Sequence, residues 1–162
     1  MAGRGRKSPE VAELRPFLSH ALAYGELGLR VFPLKPGTEE PLIPDWQEKA
    51  TWDEGQIREW WEKWPNANIG IAFGHCKDGY LVVLDYDPRK GSVWREHLLE
   101  HHLAAVFPIP WIVQTPNGRR HFYYKSPVPK PSAELAPDVY LRGEGDYGVA
   151  PPSCVWQVPS LF

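Results

Sequence analysis

VVLDYDP, residues 82–88, decides the fold and raises the question of function. Its apolar residues predict a buried strand that ends in two carboxylates, Asp85 and Asp87, and Pro88 closes it. Side chains alternate between the two faces of a strand, so residues two apart point the same way and lie roughly 7 Å apart. We therefore expect Asp85 and Asp87 to share one face at the end of a strand.

This acid pair has two interpretations. Neighbouring carboxylates ionise at low cost only when a cation lies between them. Mg²⁺ and Mn²⁺ prefer hard oxygen ligands and commonly take one or two carboxylates plus substrate phosphates. The alternative is a strand terminus at which both acids meet solvent and Asp87-Pro88 begins a turn. The pair alone leaves both interpretations open.

The bulk composition indicates one soluble domain. The chain has 162 residues, enough for a single domain with a real core. We expect a disordered basic tail over 1–7 and one domain over 8–162. An apolar run of about 18 residues, which a membrane span needs, is missing from the sequence. The basic start MAGRGRKS is followed by no apolar segment, so it does not predict a secretory signal.

The net charge and the two cysteines restrict the class of protein further. The net charge of −2 gives no support to a nucleic-acid coat, although an enzyme needs only a local basic patch to hold a strand. Cys76 and Cys154 lie far apart in the sequence. Two reduced thiols in a cytoplasmic protein are favoured over a disulfide.

Local patterns predict helices first and strands afterwards. Ser8-Pro9-Glu10 predicts a helix start, and Thr51 with Glu54 predicts a capping box for a second helix whose tryptophans pack in the core. A third helix is expected over 91–104. Strands are predicted at 29–34, 68–74, 79–87, 111–115, 121–125, 139–143 and 147–150. The second and third of these strands are expected to pair through a hairpin turn at 77–79. This order favours an α+β domain around a largely antiparallel or mixed sheet.

The second notable stretch is QTPNGRRHFYYK, residues 114–125. Pro-Asn-Gly at 116–118 is a strong turn signal between two predicted strands. The glycine is expected to leave backbone N–H groups open, and Arg119 and its basic neighbours offer charge for a polyphosphate. His121 could donate to a phosphate oxygen or shuttle a proton near neutral pH. Equally, the stretch could be a hairpin without function and His121 a structural residue.

The third stretch is DVYLRGEGDYGVAPPS, residues 138–153. Strand alternation places Val139 and Leu141 on one face. The other face carries Asp138, Tyr140, Arg142 and Glu144. The Pro-Pro-Ser sequence at 151–153 predicts a rigid corner.

Taken in order, five stretches resemble a known family. They are ALAYGELGLRVFPLKPG, WWEKWPNANIGIAFG, VVLDYDP, TPNGRRHFYYK and LRGEGDYGVAPPS. Together they resemble the bifunctional primase–polymerase (prim-pol) domain of the archaeo-eukaryotic primase superfamily, typical of plasmid and phage replication proteins. The likeness spans roughly residues 15–155. It implies an RRM-like catalytic sheet packed against an N-terminal α/β unit.

The resemblance also implies roles for individual residues. Its first metal-binding motif falls on Asp85 and Asp87, which with His121 are the implied catalytic residues. The implied nucleotide-binding residues are Asn117, Gly118, Arg119, His121, Arg142 and Ser153. Two divalent ions, Mg²⁺ or Mn²⁺, would bridge the phosphates and lower the pKa of an attacking 3′-hydroxyl.

The chain departs from the family pattern at two places. The family usually has a third acid at the position of Tyr140, and a tyrosine is a poor Mg²⁺ ligand. We favour Asp138 as the substitute metal ligand, with Glu144 as the other acid on that face. Glu39 and Glu40 stand where relatives commonly have a basic residue, and two acids there are expected to repel a template or triphosphate.

The expected function is a template-dependent nucleotidyltransferase that makes or extends primers. Its expected partners are nucleoside triphosphates, a single-stranded DNA template or primer-template, and a helicase region or separate helicase. A catalytically degenerate binding module of a replication initiator and a metal-dependent nuclease are the alternatives. A zinc site is not expected, because His97, His101 and His102 on the third predicted helix have no cysteine or acid pattern to complete one.

Overall fold

The structure is a computed structural model that describes residues 16–90, 104–105, 112–115 and 117–154. Three predictions therefore fall outside the described residues. They are the tail at 1–7, the helix start at Ser8-Pro9-Glu10, and the helix over 91–104 with its histidines. Of the residues 91–104, only Ala104 is described. That alanine belongs to a short strand.

Three helices and three strands form the N-terminal unit. The helices are α1 (Pro16–Glu26), α2 (Trp46–Lys49) and α3 (Glu54–Lys63). The strands are β1 (Val31–Leu34), β2 (Asn68–Ala72) and the last strand in the described residues, β10 (Tyr147–Ala150), in the sheet order β1-β2-β10. Trp60 and Trp61 of α3 are buried in the core, as the sequence predicts. None of the helices in the described ranges is both long and apolar enough to cross a membrane.

The remaining strands form a seven-stranded sheet around one long central strand. Their bounds are β3 (Gly74–Cys76), β4 (Gly79–Tyr86), β5 (Ala104–Ala105), β6 (Ile112–Gln114), β7 (Arg120–Ser126), β8 (Ala133–Ala136) and β9 (Val139–Arg142). The order is β5-β7-β4-β9-β8, with β3 also on β4 and β6 also on β7. Every pairing between the strands of both sheets is antiparallel. The predicted α+β class is confirmed.

Alternation along β4 divides the core between its two faces. Leu81 and Val83 belong to the main core, which the helices and the three-stranded sheet share. Val82, Leu84 and Tyr86 belong to a second cluster on the opposite face. Each fully buried valine or leucine contributes about 1.5–3 kcal/mol. Burial on both faces fixes the register of β4, because a slip by one residue would exchange the two sets.

Two local predictions are wrong. The N-cap of α3 is Asp53, whose Oδ2 accepts a hydrogen bond from the Gln56 backbone N–H at 2.8 Å. Thr51, the predicted cap, instead accepts one from the Asp53 backbone N–H at 3.0 Å. The helix begins at Glu54, so only the residue directly before it can be its N-cap. Aspartate is at least as good an N-cap residue as threonine.

The predicted pairing of 68–74 with 79–87 is the second error. The first of these stretches divides at Phe73, because Gly74 adopts a φ of +86° and turns the chain. Strand β2 therefore stays in the three-stranded sheet, and only the short β3 pairs with β4. The hairpin turn at Lys77-Asp78 lies where the sequence predicts it.

Candidate active site

A cavity of about 960 Å³ opens where the two sheets meet, at the end of β4. This volume falls in the range of sites that hold a small-molecule ligand, roughly 300–1,000 Å³. Six polar residues of its wall, called the polar end below, are Asp85, Thr115, Asn117, Arg119, His121 and Arg142. Apolar side chains also line the cavity, among them Val113, Tyr147, Val149, Pro151 and Pro152. The cavity therefore offers both charged and apolar surface to one ligand.

Asp85 is the centre of the polar end. The sheet register places it opposite His121 on β7 and Tyr140 on β9. Arg119 Nε donates to its Oδ1 at 2.6 Å, and Arg142 Nε donates to its Oδ2 at 3.0 Å. His121 Nε2 lies 3.6 Å from Oδ2, beyond hydrogen-bond distance. Only 5% of the Asp85 side chain is exposed.

The charge state of Asp85 follows from these neighbours. Burial raises the pKa of its carboxyl, but His121, Arg119 and Arg142 together lower the pKa more, so it lies well below its usual range. The carboxylate is thus ionised at neutral pH. Two arginines, which stay charged at any physiological pH, surround this single negative charge. The polar end of the cavity therefore carries an excess of positive charge and favours an anion.

The turn at 115–119 joins β6 to β7 at the rim of the cavity. Gly118 has a φ of +83°, a conformation that a glycine adopts without strain. Its N–H donates to the Thr115 carbonyl at 2.9 Å, so the expectation of an open N–H at this glycine is wrong. The hydrogen bond that closes the turn uses the Gly118 N–H, which is therefore not available to a ligand. Thr115, Asn117 and Arg119 all line the cavity, so these residues of the turn can meet a ligand.

Asp87 lies just beyond β4 and outside the cavity lining. Arg89 holds its carboxylate at both oxygens, with Nε to Oδ1 at 2.8 Å and Nη2 to Oδ2 at 2.8 Å. Hydrogen bonds from the Arg89 side chain and backbone lower the pKa of Asp87 to about 2. Arg89 Nη2 also donates to the Asn117 carbonyl at 3.2 Å. The structure thus connects Asp87 to the 115–119 turn and does not place it beside Asp85 in the cavity wall.

The two candidate third acids also lie outside the cavity lining. Asp138 occupies the turn before β9 with a φ of +63°, and its Oδ2 accepts from Lys90 Nζ at 2.8 Å. Glu144 accepts from the His75 backbone N–H at 2.7 Å, near the opposite end of β4. In the part of the chain that the structure describes, three or more His, Cys, Asp or Glu side chains nowhere gather in a metal-binding group.

The carboxylates of the site can nevertheless hold Mg²⁺ or Mn²⁺ if the substrate and water supply the other ligands. These ions commonly take one or two carboxylates from the protein and complete their shell with substrate phosphates and water. Asp85 is in the cavity wall, and Asp87 follows it by two residues at the end of the same strand. A site built from protein ligands alone does not fit the described residues.

The Pro-Pro-Ser corner closes the cavity from β10. Ser153 Oγ accepts from the Ile69 backbone N–H at 2.7 Å, and the Asn68 side chain donates to the Cys154 carbonyl at 2.7 Å. These bonds fix the corner to β2, and Ser153 lines the cavity. Cys76 and Cys154 are both free thiols, as predicted.

Sequence reasoning missed part of the wall formed by β10. Tyr147 and Val149 both line the cavity. The signal for them was present, because alternate residues of a predicted strand share one face. Glu39 also lines the cavity and its carbonyl accepts from Tyr147 Oη at 2.7 Å, whereas Glu40 pairs with Lys35 at 2.5 Å. Only one of the two predicted repelling acids therefore lines the site.

Comparison with known families identifies the class to which this fold and cavity belong. The family model described as bifunctional DNA primase/polymerase, N-terminal, matches residues 21–159. This is nearly the whole chain, and the chain belongs to that family. The family consists of nucleotidyltransferases of the primase and polymerase type, which generally depend on divalent metal ions. No curated protein matches the chain.

Proposed function

We propose that the chain is a template-dependent nucleotidyltransferase that starts or extends primers with nucleoside triphosphates on single-stranded DNA. One observation carries this proposal: Asp85, Arg119, His121 and Arg142 meet at one end of a cavity large enough for a nucleotide. The proposed setting is a plasmid- or phage-type replication protein in the cytoplasm, acting with a helicase region or a separate helicase.

In this proposal Arg119 and Arg142 bind the triphosphate. Arg142 uses Nε for Asp85, and its two terminal nitrogens have no hydrogen-bond partner among the described residues. Its side chain is 39% exposed and lines the cavity. Arginine binds phosphate oxygens through paired, charge-assisted hydrogen bonds. Arg119, Asn117 and His121 complete this polar wall, and the apolar side chains of the lining would contact the sugar and base.

The carboxylates supply the metal ligands in this proposal. Asp85 and Asp87 would hold the ion, and Arg89 would release Asp87 as the ion binds. When bound, the ion would neutralise charge on the phosphates and lower the pKa of the attacking 3′-hydroxyl. The chain's own residues position the triphosphate and keep its charge balanced. Asp138 stays a candidate third ligand only if its pair with Lys90 opens, since its carboxylate lies outside the cavity lining.

A catalytically degenerate nucleotide- or DNA-binding module is the second candidate. The observation that favours it is that every acid of the proposed metal site is paired with a cationic side chain: Asp85 with two arginines, Asp87 with Arg89 and Asp138 with Lys90. Such a module would bind DNA with a steep dependence on salt and would add no nucleotides.

Primer extension on a labelled primer-template, with Mg²⁺ or Mn²⁺, separates the candidates. The wild-type chain is expected to lengthen the primer, and Asp85→Asn with Asp87→Asn is expected to reduce extension at least about a hundredfold, because both proposed metal ligands are lost. Asp45→Asn with Asp78→Asn is the matched control, since those carboxylates are 70% and 71% exposed and lie outside the cavity lining. Extension that survives the first double substitution contradicts the proposal, and shortening of the primer would indicate a nuclease.

A further inference from the structure

Tyr140 lies beside both arginines of the cavity. The guanidinium carbon of Arg119 is 5.4 Å from the centre of its ring, and that of Arg142 is 5.5 Å away. Tyr140 is half-buried on β9 and stands opposite Asp85 in the sheet register. The same two guanidiniums that bind the Asp85 carboxylate therefore also lie over one aromatic ring.

These two contacts restrain the arginines in different ways. Asp85 takes the Nε edge of each guanidinium, at 2.6 Å for Arg119 and 3.0 Å for Arg142. The electron-rich face of an aromatic ring attracts a cation within about 6 Å of its centre. Asp85 thus holds the Nε edge of each guanidinium by a hydrogen bond. Tyr140 attracts both guanidiniums to the face of its ring. Together they hold two like charges close to each other, which would otherwise repel.

A held pair of arginines binds better than a mobile pair. An arginine side chain loses substantial rotamer freedom when it is immobilised on a ligand, and that loss weakens binding. Arg119 is already restrained further, because its Nη2 donates to the Asp138 carbonyl at 3.0 Å. Arg142 has no such second protein acceptor in the described ranges, so Tyr140 is its main restraint apart from Asp85.

We infer that Tyr140 is a positioning residue that holds Arg119 and Arg142 as a preorganised pair for the triphosphate group of the substrate. The inference rests on the proposed function, since the anion it names is the nucleotide's triphosphate. Tyr140 acts through the arginines and through its ring face. Its hydroxyl is not needed for this role.

Calorimetric titration with inorganic triphosphate, in metal-free buffer at low salt, tests the inference. Tyr140→Leu removes the ring and is expected to weaken binding about tenfold, the size expected for the loss of two cation–π contacts. Tyr140→Phe keeps the ring and is expected to bind within about twofold of wild type. Tyr80→Leu is the matched control, a half-buried tyrosine at the other end of the same sheet, and should bind as wild type does.

A merely structural role for Tyr140 predicts a different pattern. In that case Tyr140→Leu would bind triphosphate as tightly as the wild type once folded, and the inference would be overturned. Equal loss in Tyr140→Phe and Tyr140→Leu would also overturn it, because the hydroxyl and not the ring would then matter. If the wild-type chain binds no triphosphate, the proposed nucleotide site fails as well, which distinguishes failure of the function from failure of this inference alone.

Ring-fluorinated phenylalanines at position 140 keep the test decisive if Tyr140→Leu does not fold. Fluorine withdraws the negative charge from the ring face with little change in shape. Triphosphate binding that weakens with each added fluorine supports the inference. Binding that stays constant across the series overturns it.

Discussion

Asp85 and Arg119 form a buried ion pair between the end of β4 and the turn that leads into β7, with 2.6 Å between Oδ1 and Nε. Their side chains are 5% and 18% exposed. Arg142 adds a second arginine to the same carboxylate at 3.0 Å. A single acid between two arginines leaves the polar end of the cavity positively charged before any metal ion enters. This charge balance supports the proposal that the site binds a phosphate group.

Substitution of Asp85 by asparagine should separate two roles of this carboxylate. The arginines lose the anion that competes with phosphate, so metal-free binding of inorganic triphosphate should tighten about 3- to 10-fold. Primer extension should be lost at the same time, since a proposed metal ligand is gone. Calorimetry and extension assays on the same preparation measure both effects.

Asp78→Asn serves as the control for the Asp85 variant, because its carboxylate is 71% exposed and its Oδ2 lies 3.6 Å from Lys125 Nζ. It should change neither quantity. Triphosphate binding that disappears in a folded Asp85→Asn variant would contradict the account, because the carboxylate would then be required to form the anion site.

Arg89 should matter for nucleotide binding although it lies outside the cavity lining. It links the Asp87 carboxylate to the Asn117 carbonyl, so Arg89→Ala should loosen the turn that carries Asn117 and Arg119. We expect triphosphate binding to weaken about 3- to 10-fold. The thermal midpoint should also fall, because the Asp87 carboxylate, whose side chain is only 5% exposed, loses its cationic partner.

The matched control for Arg89 is Arg58→Ala. Arg58 also pairs through two nitrogens with one acid, Glu54, but on the surface of α3. Arg58→Ala should leave triphosphate binding unchanged and should lower stability less than Arg89→Ala does, because the Glu54 carboxylate is 70% exposed. Equal binding by both variants would show that the 115–119 turn does not depend on Arg89.

The stability of the fold should fall at acid pH partly through Asp87. Its pKa is about 2 in the folded chain, against about 3.9 for an unfolded aspartate. A lowered pKa means that the folded state favours the carboxylate, so the stabilisation is complete above about pH 4 and is lost as the pH falls toward about 2. Asp87→Asn should therefore show a weaker pH dependence in that window only.

Urea unfolding midpoints from pH 2 to 6, for wild type and Asp87→Asn, measure this effect. Asp85 contributes in the same direction in both chains, because its pKa is also lowered. The difference between the two curves therefore isolates Asp87. Parallel curves across the whole range would mean that the Asp87–Arg89 pair does not form in solution.

The sequence predicted the central strand because its pattern is local. The apolar residues of β4 alternate between two buried faces, and this alone indicates a central strand. Asp85 at its end and the arginine-rich turn of 115–119 were likewise visible as candidates. Membership of the primase–polymerase family was predicted from ordered short stretches and is confirmed.

The remaining features depend on the path of the chain after each strand. After Asp87 the chain forms a 3₁₀ turn, Pro88–Lys90, which brings the Arg89 side chain onto the Asp87 carboxylate. The residue pattern did not predict where the Arg89 side chain would lie. The pairing of β10 with β2 joins segments far apart in sequence. Alternation along β10 showed that Tyr147 and Val149 share a face, but local patterns did not show that this face forms a wall of the cavity. Gly74 did carry a signal, since a glycine inside a strand pattern often marks a bend.

The central claim is that this cavity binds the nucleotide, with its triphosphate on Arg119 and Arg142 and a metal ion at Asp85 and Asp87. A crystal structure with Mn²⁺ and a non-hydrolysable nucleoside triphosphate tests it most directly, because manganese gives an anomalous signal that identifies its ligands. The account predicts manganese on the Asp85 and Asp87 carboxylates, with the triphosphate on both arginines and Arg89 turned away from Asp87. Manganese bound elsewhere, or a triphosphate that contacts neither arginine, would contradict it.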